Sequence, residues 1–111
     1  MITVRVKRNP DGFPYALSST GHAGYAEPGQ DIMCAAVSAL ATTTLSALTD
    51  LIKVEVDYVL AEGEIYCEVL EQALTDKQRE GIQLLFDTFE LGCIQLADSY
   101  DYKYIKVVKA R

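Results

Sequence analysis

Basic residues are scarce in this chain: ten Lys and Arg stand against sixteen Asp and Glu, for a formal net charge of -6. That balance repels phosphate backbones and supplies no basic stripe, so direct nucleic-acid binding is excluded as a leading expectation, while a basic peptide or protein would be attracted. Cysteine occurs three times with no CxxC spacing, and histidine once. An odd, scattered set suits a reducing compartment better than a disulfide framework, and one His with three dispersed Cys forms no recognisable zinc ligand set. No metal or cofactor is expected. The longest apolar stretch, Ile32 to Ala41, is interrupted by Ser38 and followed by Thr42, Thr43 and Thr44, which falls short of the ~20 residues of a bilayer span. The opening residues Met1 to Arg8 alternate apolar and polar and lack the h-region of a secretory signal. A soluble, cytoplasmic protein is the expectation, with no membrane contact.

Repeats, linkers and low-complexity tracts are absent as well, so the 111 residues are read as one domain, 1–111. Half of the residues are apolar, enough to build a core and to exclude disorder.

Periodicity then assigns the elements. Ile2, Val4 and Val6 alternate with Thr3, Arg5 and Lys7, which predicts a strand ending at the turn cluster Asn9, Pro10, Asp11, Gly12, and a second strand is expected over Pro14 to Thr20. Gly21 to Gly29 carries three glycines and Pro28 and shows neither period, so an exposed loop is expected there. Asp31 is a favoured N-cap type. The helix it would open runs to about Asp50, with Val37, Leu40, Ala41, Leu45, Leu48, Leu51 and Ile52 on the buried face. Val54, Val56 and Tyr58, then Ile65, Cys67 and Val69, read as an antiparallel hairpin joined at Glu62 and Gly63. Thr75 and Gln78 form a capping-box pattern before a stripe of Ile82, Leu85, Phe86, Phe89, Cys93, Leu96 and Ala97, and Tyr104 to Val108 closes the chain as a strand. The order ββαββαβ predicts an α+β layer fold, a mixed sheet of about five strands with two helices on one face. Strand order across the sheet does not follow from these patterns.

The three cysteines separate by position. Cys67 shares the inward parity of Ile65 and Val69, and Cys93 lies on the helix stripe, so both read as small buried groups. With Asp31 as N-cap, Cys34 would be the third helical residue, where free N–H groups and the helix dipole favour a thiolate; a packed first-turn residue is the alternative. His22 sits in the irregular loop, twelve positions before Cys34. It is either a surface residue or, if the loop folds back over the helix, the base of a cysteine acyl-transfer pair. Asp31 could cap the helix, orient His22, or do both. Ser38 follows Cys34 by one turn, as a packing residue or a hydrogen-bond partner. Gly21, Gly24 and Gly29 suit either simple turns or a loop that closes on a substrate.

The run Gly21-His22-Ala23, seven residues, then Asp31-Ile32-Met33-Cys34-Ala35-Ala36-Val37-Ser38 resembles the signature of the ribosomal-processing cysteine protease family Prp. The similarity extends over the element order of essentially the whole chain. It implies an endopeptidase that removes a short amino-terminal extension from large-subunit ribosomal protein twenty-seven, with Cys34 as nucleophile, His22 as general base, and Asp31 and Ser38 in supporting positions. It further implies a homodimer and a mobile loop between His22 and Cys34. Met33 stands where the family often has a smaller apolar residue, at the expected pocket wall. Two other classes stay open on the residues alone: a non-catalytic binding module for a basic ribosomal protein, and a thiol-redox sensor, for which no second cysteine lies close in sequence.

Overall fold

A computed structural model describes residues 1–21 and 28–109, the side chains of residues 28–31 excepted. Alternation in the first twenty residues produces a hairpin of β1 (Ile2–Arg8) and β2 (Pro14–Thr20). Its turn is held by the Asn9 carboxamide oxygen, which accepts from the N–H groups of Asp11 and Phe13. Next come α1 (Pro28–Ala47), a π-helical turn (Leu48–Ile52), the hairpin of β3 (Val56–Ala61) and β4 (Glu64–Val69), α2 (Asp76–Ser99) and β5 (Ile105–Val108). The five strands form one sheet in the order β3-β4-β2-β1-β5. Pairing is antiparallel except between β1 and β5, which run parallel because the chain returns to β1 after α2.

One face of the sheet is covered by both helices. Ile2, Val4 and Val6 share that face with Leu17, Cys67 and Ile105, and all six are buried against Val37, Ala41 and Leu48 from the α1 side and Ile82, Phe86 and Phe89 from α2. The α2 N-terminus carries the expected capping box: the Thr75 hydroxyl accepts from the Gln78 N–H at 3.0 Å and the Gln78 side chain accepts from the Thr75 N–H at 2.9 Å. Arg8, at the end of β1, ties sheet to helix by donating to Asp87 at 2.8 Å and Glu90 at 3.2 Å. The α+β architecture and element order are those expected.

The first helix departs from expectation at both ends. It begins at Pro28 rather than with Asp31 as cap, in keeping with the suitability of proline for a first turn, where its missing N–H would have no partner in any case. Gly29 therefore lies in the helix and not in the loop. At the other end, the π turn adds a residue to one turn and rotates the apolar stripe. Leu48 stays buried, but Leu51, expected in the core, is 76% exposed. Lys53 then ends the segment in the left-handed conformation, φ 65. Val54 is buried ahead of β3 rather than within it. Joined to its π turn, the helix makes an apolar segment Ile32–Ile52 of 21 residues, long and apolar enough to cross a membrane by composition, contrary to the shorter run read from the sequence. The fold uses part of that apolarity: Met33, Val37, Ala41, Leu45 and Leu48 are buried in the core that the segment shares with the sheet and α2.

Candidate active site

Three segments of the chain meet at the second turn of α1. The end of β2 contributes Ser19 and Gly21, the β3–β4 turn contributes Ala61 to Ile65, and α1 contributes Cys34, Val37 and Ser38; with Ile2 they enclose an open cavity of about 350 Å³. Gly21 is the joint of this arrangement. Its φ is +92, and a Cβ placed on it would stand 2.4 Å from the carbonyl oxygen of Met1, so both conformation and space require glycine. Its N–H donates to the Gly63 carbonyl at 3.0 Å, tying the end of β2 to the tip of the neighbouring hairpin. Gly63, itself at φ +77, supplies the sharp return that the short turn needs.

Cys34 is half-buried, with its side chain on the cavity wall, and Ser38 lies on the same wall one turn later. Because α1 starts at Pro28, Cys34 is the seventh residue of the helix rather than the third. It lies beyond the four free N–H groups of the helix start, so those amides do not surround it as the sequence suggested. Asp31 is the fourth residue of the helix and not its cap; its side chain lies outside the described residues, as do His22 and Gly24. Met33, expected at the pocket wall, points the other way and is buried in the core at 3% exposure.

The other two thiols are sealed. Cys67 and Cys93 are fully buried among core side chains. Burial pushes the Cys67 thiol up to about 11 and the Cys93 thiol up to about 12, the Glu90 carboxylate adding to burial in the second case. Both oppose formation of the nucleophilic thiolate. Missing from the sequence reading are Ile2, Glu62, Glu64 and Ile65 as cavity residues. Their strand and turn assignments were legible, but nothing in a linear pattern places the β3–β4 tip beside α1. Glu62 and Glu64 give the rim two carboxylates, the sign that a basic substrate would meet.

One accessible thiol at an open cavity, with two thiols closed off in the core, leaves Cys34 as the candidate nucleophile that a cysteine hydrolase would need, on a two-layer α+β scaffold. The chain belongs to the cysteine protease Prp family: the family model described as Cysteine protease Prp matches residues 1–106. It is 34% identical over 89 residues to the ribosomal processing cysteine protease Prp of Bacillus subtilis (strain 168), covering 78% of this chain and 79% of that one. Among solved structures, SMU.848 from Streptococcus mutans matches with a TM-score of 0.76 and 32% identity, covering 100% of this chain and 96% of that chain. The ribosomal processing protease Prp from S. aureus, solved in complex with a substrate peptide, shares the fold with a TM-score of 0.82 at 23% identity, covering 98% of this chain and 99% of that chain. A second S. aureus Prp structure holds a covalently linked product peptide, with a TM-score of 0.79, 24% identity and coverage of 98% and 99%.

Proposed function

We propose that this cysteine protease is an endopeptidase that removes the amino-terminal extension of large-subunit ribosomal protein twenty-seven, with Cys34 as nucleophile and His22 as general base. The observation that carries the nucleophile is the sorting of the three thiols: Cys34 alone lines the open cavity, while Cys67 and Cys93 are sealed in the core. The substrate rests on the resemblance of the Gly21-His22-Ala23 and Asp31 to Ser38 segments to the family signature, on the ribosomal processing role in the name of the B. subtilis relative, and on the peptide complexes of the S. aureus protein.

In this mechanism His22 takes the Cys34 proton, and the sulfur attacks the scissile carbonyl to form a tetrahedral intermediate. Collapse of the intermediate breaks the C–N bond, the leaving amine takes the proton from His22, and the acyl group remains on sulfur as a thioester. Water, deprotonated by His22, then releases the acid and restores the thiol. Asp31 orients the imidazole and Ser38 borders the reacting sulfur. The proposal includes a homodimer, as the family resemblance implies, acting in the reducing cytoplasm, where three free cysteines are tolerated.

The test is incubation of the purified chain with the extended ribosomal protein and mass analysis of the product. Cleavage at one bond near the amino terminus is expected. Cys34→Ala is expected to lose at least about a thousandfold in rate while still binding the substrate. Undiminished cleavage by that variant would remove Cys34 from the mechanism. Binding with no cleavage by the native chain would favour the binding-module reading instead.

A further inference from the structure

Strand β3 closes one side of the sheet, with no described strand beyond it. Its register with β4 runs from Val56 opposite Val69 to Ala61 opposite Glu64. One position further out, the Leu70 N–H donates to the Glu55 carbonyl at 3.0 Å, so the odd-numbered residues of this strand exchange bonds with β4. By the alternation of an antiparallel ladder, Val56, Tyr58 and Leu60 turn their N–H and C=O groups to the outer edge. The Tyr58 N–H shows this directly, since its acceptor is the carboxylate of Asp57, at 3.1 Å, and not a strand.

The side chains along this edge are apolar and exposed. Tyr58 is 55% exposed and Leu60 50% on the helix side of the sheet, and Val59 is 44% exposed on the opposite side. An accessible apolar edge invites pairing with another chain, and proteins ordinarily blunt it with Lys, Pro or bulges. β3 has Asp57 as its single charged residue and contains neither Lys nor Pro. The strand also leads somewhere: its last residue, Ala61, and the turn after it line the cavity that holds Cys34.

We propose that the peptide substrate adds to the outer edge of β3 as a further strand that runs into the Cys34 cavity. This rests on the endopeptidase reading above and extends it to the mode of recognition. Main-chain bonds to Tyr58 and Leu60 supply affinity that is independent of sequence, and alternate side chains of the peptide supply selectivity. A peptide strand in register places its residues beside Tyr58 and Leu60 on one face and beside Val59 on the other. The site therefore selects an extended segment with successive apolar residues. Six residues of β3 span about 20 Å, enough for five or six substrate residues. The arriving peptide N–H and C=O groups displace Asp57 from the Tyr58 N–H.

The experiment uses the full chain with Cys34→Ala and a synthetic peptide that spans the extension and the first mature residues of ribosomal protein twenty-seven, read by residue-resolved amide exchange. Exchange at Tyr58 and Leu60 is expected to slow by about tenfold or more on saturation, and at Val59, already bonded to β4, to change little. In the chain with native Cys34, Leu60→Pro removes one edge N–H without touching the β4 ladder, and kcat/KM is expected to fall about fivefold, carried by KM. Binding without slower exchange at Tyr58 and Leu60 overturns the docking mode and leaves the endopeptidase reading standing. Slow exchange at both positions without peptide, in a species of twice the chain mass, assigns the edge to a second copy and overturns it too. Absence of both binding and cleavage in the native chain overturns both readings.

Discussion

Gly12 and Gly21 form a matched pair that isolates how tightly the mouth of the site is built. Both sit in left-handed backbone, at φ +86 and +92. A Cβ at Gly12 would meet nothing within 4 Å, whereas one at Gly21 would lie 2.4 Å from the Met1 carbonyl oxygen. An L side chain in this conformation costs about 1–2 kcal/mol, and the smaller entropy of the unfolded alanine chain offsets about 0.5–1 kcal/mol of that. Gly12→Ala is therefore expected to destabilise by about 1 kcal/mol. At Gly21 the backbone itself must also move. Relief of the overlap adds about 1–3 kcal/mol, and the displaced N–H loses its bond to Gly63, about 1 kcal/mol more. Gly21→Ala should thus cost about 2–4 kcal/mol beyond Gly12→Ala. Urea unfolding curves of both variants, compared at equal slope, measure the difference. Peptide cleavage at a temperature where both remain folded should fall at least about tenfold further for Gly21→Ala, because the shift opens the cavity wall next to His22 in the chain. Equal stabilities of the two variants, or native cleavage by Gly21→Ala, would refute the argument that Gly21 fixes the approach of β2, Met1 and the β3–β4 turn.

Two further outcomes follow from the thiols. Iodoacetamide at neutral pH is expected to modify Cys34 well ahead of Cys67 and Cys93, which are buried and whose thiols are pushed up to about 11 and about 12; peptide mass mapping reads the order, and early modification of Cys93 would contradict the closed core. Stability should also decline at alkaline pH. Because the folded chain raises both thiols above their ordinary 9.0, the unfolded chain loses protons first, so the stabilisation present below pH 9.0 is lost as pH rises toward about 12. Tyr66, raised by burial and by its bond to Glu68, acts in the same direction. Replacing Cys67 and Cys93 with Ala should flatten the decline measured by urea midpoint against pH, and an unchanged slope would remove the thiols as its cause.

Local patterns carried much of the fold. The alternation at Ile2, Val4 and Val6, the Thr75–Gln78 capping box and the parity of Cys67 and Cys93 were all legible, because each depends on neighbours within a few residues. The start of α1 was not. Asp31 has the chemistry of a cap, but Pro28 can open a helix as well, and the four-residue earlier start moves Cys34 from the first turn to the second. Leu51 was misplaced for a related reason: a π turn adds a residue without any mark in the apolar pattern.

The sequence by itself determined the order and kind of the strands and helices, which cysteines sit on buried faces, and the family signature spanning His22 and Cys34. Only the tertiary structure decided the strand order β3-β4-β2-β1-β5, and with it that Gly63 bonds Gly21, that Glu62 and Glu64 rim the cavity of Cys34, and that β3 is left at the edge. The physical reason is range. Side-chain period and capping are settled over one or two turns of backbone, whereas a hairpin can pair with any strand that offers a complementary edge, and the choice is made by the apolar area that all the layers bury together.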